Sequence, residues 1–311
     1  MSRTARFAVD IGPTKLRTTR TGQPLSYNRA PAADLSSWIA RLAVTRIDQP
    51  ADQTLDCGLF GETAAIRLQL SGELEVPANN HARYTAPSAL FFGPQSKLQP
   101  LCLTGSLIGI SVALRPGACR ALMTMRGGDL VDKVIPLPDD WRDCAVPALA
   151  SKGDPEDRLQ ALEQLFRAHI TSLSKPEPDP IAADFEEIAF RDPTMSIAQA
   201  AREIGVDRRR LERVVHRDFG LPPKQVFRRA RALDMAASLQ GVADEEEAQA
   251  FALRYYDESH LIREFTELFG MSPRRFKALE QPLLTITLEA RQARRLEILG
   301  RIEPGAQRPW Q

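Results

Sequence analysis

Histidine and cysteine are scarce in this chain, four of each among 311 residues. The cysteines, Cys57, Cys102, Cys119 and Cys144, are widely spaced and form no C-x-x-C pair, so reduced, mostly buried thiols are expected rather than a disulfide framework or a zinc site. There is no H-x-H, and His81 is alone in the strand-rich region, which leaves a catalytic divalent metal there without its imidazole ligands. G-x-S-x-G, Walker and G-x-G-x-x-G loops are missing too, and with them the usual hydrolase and nucleotide-binding devices. No enzyme, metal or cofactor is expected. No run approaches the roughly 18 apolar residues of a membrane span, and the basic N-terminus is not followed by the apolar core of a secretory signal. A cytoplasmic protein without membrane attachment is expected. The net charge of +1 favours no polyanionic partner until the charges are located along the chain.

What is present suffices for two ordinary globular domains: 43% hydrophobic and 26% charged residues. Residues 1–24 carry Arg3, Arg6, Lys15, Arg17 and Arg20 against Asp10 and few large apolar groups, the composition of a mobile basic arm, either a solvated tail or one touching phosphates. From Leu25 to about Leu114, short apolar runs broken by Gly, Pro and Asn read as strands and turns. Ile66, Leu68 and Leu70 alternate with Arg67 and Gln69, which predicts one buried and one wet face and a solvent-facing Arg67. Leu107–Leu114 is almost continuously apolar and suits a buried strand, and the whole favours a small barrel or sandwich. Arg67 and Arg115 are the cations there that an anionic effector would meet.

Residues 156–173 place Leu159, Leu162, Leu165, Phe166, His169 and Ile170 at helical spacing, an amphipathic helix that buries its stripe on the barrel or on a second subunit. Pro176, Pro178 and Pro180 alternate with charge over residues 174–180 and mark a linker. The fold class is therefore α+β in two domains, residues 25–173 β-rich with a trailing helix and residues 181–280 all-α, followed by a tail at 281–311. That tail contains a helical stretch from Leu283 to Gly300 with Arg291, Arg294, Arg295 and Arg301, which packs on the N-terminal domain or extends a phosphate footprint.

Within the helical half a unit recurs. Asp207, Leu211, Arg213, Phe219, Gly220 and Pro223 reappear fifty residues later as Asp257, Leu261, Arg263, Phe269, Gly270 and Pro273, a duplicated supersecondary unit. In the first copy Ser196 and Gln199 form a capping box, Ile197, Ala200, Ala201 and Ile204 face a core, Gly205-Val206 turns, and Asp207 caps the next helix. On that helix Leu211, Val214, Val215 and Phe219 share one face while Arg209, Arg213 and His216 project from the other, flanked by Glu212 and Arg217. Guanidinium groups on a helix held from behind by a partner suit the major groove, because Arg takes guanine O6 and N7 bidentately. Gly220 ends the helix, and a longer one from about Lys224 to Leu239 buries Val226, Phe227, Ala230, Leu233 and Ala237, with Arg228, Arg229 and Arg231 left wet. The second copy opens with Asp244 and Glu247 as a capping pair and turns at Tyr255-Tyr256.

Tyr255-Tyr256-Asp257-Glu258-Ser259-His260-Leu261-Ile262-Arg263-Glu264-Phe265, ending in Phe269-Gly270-Met271-Ser272-Pro273, resembles the DNA-binding domain of the AraC/XylS family of bacterial transcription regulators, two helix-turn-helix units sharing a linking helix. Phe92-Gly93-Pro94-Gln95, Gly109–Val112, Leu114–Ala118 and Leu130–Leu137 are similar to the cupin-like domain that precedes it in some members. The resemblance implies a sensing or dimerising N-terminal module, with a small-molecule effector and a homodimer among its partners, and promoter DNA and RNA polymerase as partners of the whole. Carried over by position, Arg209, Glu212 and Arg213 face bases in the first unit, and Glu258, Ser259, His260, Ile262 and Arg263 in the second; Arg208 and Arg217 add DNA contacts in the first. Where the family writes Gly-Phe before the Asp, this chain has Arg254-Tyr255, costing about 1 kcal/mol if position 254 is left-handed. Charge separates the copies: residues 207–231 carry nine Arg or Lys against three acids, residues 244–267 two Arg against eight. The helix at 208–219 is therefore expected to dominate over that at 258–269. The alternative is a protein-binding scaffold or anti-activator whose acidic second unit contacts protein.

Overall fold

A computed structural model describes residue 18 and residues 25–79, 81–123, 127–173, 177–243 and 258–311. The rest of the basic arm, the pair Asp244 and Glu247, and the turn carrying Arg254 lie outside the described residues.

The short apolar runs form β1 (Tyr27–Arg29), β2 (Ile39–Ile47), β3 (Thr54–Leu59), β4 (Ala65–Val76), β5 (Ala82–Thr85), β6 (Ser88–Phe92), β7 (Gln99–Leu114) and β8 (Val134–Pro136). They make one antiparallel sheet of order β1-β2-β7-β4-β6-β8, with β3 also on β7 and β5 on β4. The continuous apolar run is the second half of β7, paired along both edges, by β2 (Leu42↔Val112) and by β4 (Ile66↔Val112). Among the described residues the end strands β1 and β8 do not pair with each other.

Because side chains alternate across a strand, β2, β4 and β7 present two different faces. Leu42, Val44, Ile66, Leu68, Ile110 and Val112 point to one core, closed by α1 (Ala118–Met123), α2 (Val146–Ala150) and α3 (Pro155–Leu173) through Leu149, Leu159, Leu162 and Phe166. The stripe of α3 is thus buried on its own sheet. Arg29 of β1 ties the helix down, bonding Glu156 at 2.8 Å and Glu163 at 2.8 Å.

The other face corrects the sequence expectation. Gln69 is buried and Arg67 half-buried, its Nη1 donating to Ser111 Oγ at 3.2 Å, because a helix covers that face instead of water. That helix is α10 (Pro282–Ile298), from the C-terminal tail. It follows α4 (Pro180–Arg191), α5 (Ile197–Ile204), α6 (Arg208–Phe219), α7 (Pro223–Leu239), α8 (Glu258–Phe269) and α9 (Pro273–Ala278), with α4 starting at the last residue of the expected linker and capped by Asp179.

One side of α10 sets Leu283 and Ile286 against Leu59, Leu74, Leu90 and Leu103 of the sheet domain, and another sets Leu284, Leu288 and Leu296 against Leu233, Ala236 and Phe265. Each of its buried aliphatic side chains stabilises by about 1.5 to 3 kcal/mol. Its charges are consumed internally: Arg291 bonds Asp234 at 2.5 Å and Glu62 at 2.9 Å, Arg294 bonds Glu186 at 2.6 Å, Arg295 donates to the Phe190 carbonyl at 2.8 Å, and Glu297 takes Arg41 at 2.5 Å. Arg308 pairs with Glu289, and Trp310 is buried beside it. Of the tail arginines only Arg301 is exposed; Arg291 joins the sheet and helical domains, Arg294 and Arg295 tie α10 to α4, and these three buried groups have no share in a phosphate footprint.

Candidate nucleic-acid interface

The two halves of the first repeat form as the local signals direct. Ser196 and Gln199 close the capping box on α5, Gly205 takes the left-handed conformation (φ 78°), and Asp207 accepts from the Arg210 N–H at 2.9 Å to start α6. Leu211, Val214, Val215 and Phe219 are buried against α4, α5 and α7, with the rings of Phe185 and Phe219 edge to face at 5.7 Å. The repeat holds in three dimensions. Leu261 and Phe269 are buried like Leu211 and Phe219, and Gly220 and Gly270 end their helices at φ 72° and 67°, a conformation open to glycine without strain.

On α6 the expected face is free of the body. Arg208, Arg209, Arg210, Arg213 and His216 are exposed, with Arg208 bonded to Glu212 at 2.8 Å along the helix. Arg217 is half-buried and engaged by carboxylates. It donates to Asp218 at 2.7 and 2.5 Å and to Asp179 at 3.0 Å, and those bonds hold its guanidinium pKa above the usual value, so it fastens α6 to the cap of α4. On α8, Ser259, His260, Ile262 and Arg263 are exposed, Arg263 donating to the Ser259 carbonyl at 3.2 Å, while the side chain of Glu258 lies outside the described residues.

The wet face expected on α7 is not there. Arg229 is 1% exposed and donates to the Gln95 carbonyl at 2.8 Å; Arg228 pairs with Glu264 at 3.2 Å and Glu267 at 2.5 Å; Arg231 pairs with Glu264 at 2.7 Å. The reason is that α7 is flanked by α8 on one side and by the loop after β6 on another. The charge contrast between the copies shrinks accordingly. With Arg217, Arg228, Arg229 and Arg231 engaged, the first copy keeps Arg208, Arg209, Arg210, Arg213 and Lys224 against Asp207 and Glu212, and two acids of the second copy are the partners of α7. Arg274, Arg275 and Lys277 on α9, beyond residues 244–267, are exposed as well, and Lys224 holds the matching place at the start of α7.

Both projecting helices are anchored at their C-terminal ends to the sheet domain. Next to α6, the Asp218 carbonyl accepts from Gly117 N–H at 3.1 Å and its buried carboxylate lies 4.0 Å from Arg120; next to α8, the Leu268 carbonyl accepts from Leu98 N–H at 2.8 Å and Phe269 meets Phe60 edge to face at 5.3 Å. The exposed arginines, Arg208, Arg209, Arg210 and Arg213 on α6 and Arg263 on α8, lie in the first two turns of their helices, the part of a recognition helix that reaches base edges.

A family model described as a helix-turn-helix domain matches residues 200–278. No curated protein matches the chain in sequence. Among solved structures, an apo variant of ToxT from Vibrio cholerae aligns with a TM-score of 0.47 at 13% identity over 76% of this chain and 97% of that one. The unsaturated-fatty-acid-bound wild-type ToxT aligns at 0.46 and 13% over 78% and 97%. The match at residues 200–278 falls on the paired, capped helices of which α6 is arginine-faced, so this stretch of the chain forms a helix-turn-helix domain.

Proposed function

We propose that this chain is a sequence-specific transcription regulator of the cytoplasm that reads the major groove mainly with α6, less with α8, and holds RNA polymerase at a promoter or blocks it there. The observation carrying this is the free guanidinium face of Arg209 and Arg213 on a helix whose opposite face is wholly buried. Binding needs no chemistry on DNA. Arg208, Arg210, Lys224, Arg274, Arg275 and Lys277 hold phosphates, and Glu212, Ser259, His260, Ile262 and Arg263 complete the base-facing set. The N-terminal domain serves as the control element for an effector, because it grips both reading helices at their C-terminal ends.

Mapping the genomic fragments that the purified chain retains supplies an operator for gel shifts at fixed salt. Arg209→Ala or Arg213→Ala is expected to weaken operator binding by about 1 to 3 kcal/mol and to relax specificity at one base position, with Arg263→Ala weaker in effect. Equal retention of operator and random DNA by the native chain would sink the reading.

A further inference from the structure

The two reading helices are copies in frame, so each position on α6 has a counterpart fifty residues on. Arg209, Glu212 and Arg213 correspond to Ser259, Ile262 and Arg263, and at the middle position a charged acceptor gives way to an aliphatic. Glu212 bonds Arg208 along the helix at 2.8 Å. Ile262 is 37% exposed, while Leu261 and Phe265 on the same helix are buried. Among the described residues Leu279 is the one other large apolar side chain exposed to that extent. A solitary exposed aliphatic is ordinary on a protein surface. This one lies on the edge of α8 that stands where α6 carries its arginines. The polar groups around it are turned back onto their own helix: Arg263 Nε donates to the Ser259 carbonyl at 3.2 Å, Thr266 Oγ1 donates to the Ile262 carbonyl at 2.7 Å, and His260 Nδ1 lies 3.8 Å from Glu264. Glu264 is 5% exposed and takes Arg231 at 2.7 Å and Arg228 at 3.2 Å, so α8 cannot roll to hide Ile262 without breaking buried ion pairs. The helix therefore presents an isoleucine outward in a fixed orientation.

We propose that Ile262 selects a thymine, packing on its C5-methyl group. In the major groove that methyl is the apolar feature that base edges offer, the rest being hydrogen-bond donors and acceptors. An aliphatic side chain pressed against any other base edge buries polar groups that it cannot bond. The guanidinium groups of α6 suit guanine, so the two copies read unlike parts of the operator, one through hydrogen bonds and the other through an apolar contact. With Glu264 and Glu267 spent on Arg228 and Arg231, α8 adds little attraction for phosphate, and its share in binding is discrimination more than affinity. This assignment rests on the DNA-binding reading above and names what one residue of it recognises.

Changing each thymine of the operator in turn to deoxyuridine removes one methyl and keeps every hydrogen-bonding group. Affinity for this series is measured by gel shift with the full native chain, Ile262→Val and Ile262→Ser. One position is expected to weaken native binding by about fourfold on losing its methyl, the worth of one buried methyl group. Ile262→Val should keep most of that difference, and Ile262→Ser should bind thymine and uracil there alike. All three chains should melt together, because the side chain is at the surface. Insensitivity of the native chain to every thymine methyl, or an undiminished sensitivity in Ile262→Ser, overturns the proposal. Arg213→Ala in the same series separates it from the reading on which it rests. A native chain whose operator preference depends on Arg213 and on no methyl loses the thymine assignment alone; a native chain without operator preference loses both.

Discussion

At the scale of the residue, arginine decides most of what this molecule does, and its uses divide by partner. Arg209 and Arg213 face water, whereas Arg217, Arg228, Arg231, Arg291 and Arg294 each close on a carboxylate. Helical spacing revealed the first group, because which face of α6 is apolar can be read within twelve residues. It did not reveal the second, since apart from Asp218 beside Arg217 the partners lie far away in sequence, Glu186 and Arg294 being 108 residues apart. Local pattern left Arg229 and Arg67 wet for the same reason: the covering element is encoded elsewhere. Arg158 is a different case, fully buried on α3 with none of its three guanidinium nitrogens bonded. Replacing an unpaired buried cation by an apolar side chain of similar length removes a desolvation penalty, so Arg158→Met is expected to stabilise the chain by about 1 to 3 kcal/mol in urea unfolding, with DNA binding unchanged. A lower midpoint would show that the guanidinium is satisfied in solution.

Single elements were the most legible level. The capping box of α5, the turn at Gly205 and the Asp207 cap of α6 all use signals within four residues of one another, and all form. Asp207→Ala removes the acceptor for Arg210 N–H and should cost about 1 kcal/mol of stability. Its effect on operator affinity should be small at temperatures well below melting, measured on the same preparation by denaturant titration and gel shift. In α9 the basic residues are short of partners and close to the end of α8. Arg274→Ala with Lys277→Ala is expected to lower the slope of log affinity against log salt by about 1 for each lost phosphate contact, to a similar degree on operator and random DNA. A loss confined to the operator would move these residues from phosphate to base.

For the whole molecule, the sequence suggested two domains and a tail whose helix packs on the N-terminal domain or extends a phosphate footprint, and it hid that this helix packs on both domains at once. Glu186 illustrates the coupling: it accepts Arg115 from the sheet domain at 2.6 Å and Arg294 from α10 at 2.6 Å while belonging to α4. Burial raises its carboxyl pKa, but Arg294 and Arg115 outweigh burial and leave it lowered from 4.5. A lowered pKa means that the unfolded chain binds the proton more readily. The contribution is therefore whole above the unfolded value and is lost as pH falls from about 4.5 through the lower folded value. Glu186→Gln should cost about 3 kcal/mol at pH 7, with buried Arg294 and half-buried Arg115 left without their counterion, and should flatten the acid limb of the stability profile. An unchanged acid limb in melts from pH 7 to 3 would remove Glu186 from that role. The position of α10 also sets an order of events at the ribosome. The sheet is made well before the helix that covers its second face, so the nascent chain holds an uncovered apolar surface until residues 282–298 emerge, on the order of tens of seconds at ordinary elongation rates. During that interval Leu59, Leu74, Leu90 and Leu103 have no partner from α10, and the uncovered face is open to non-native contacts.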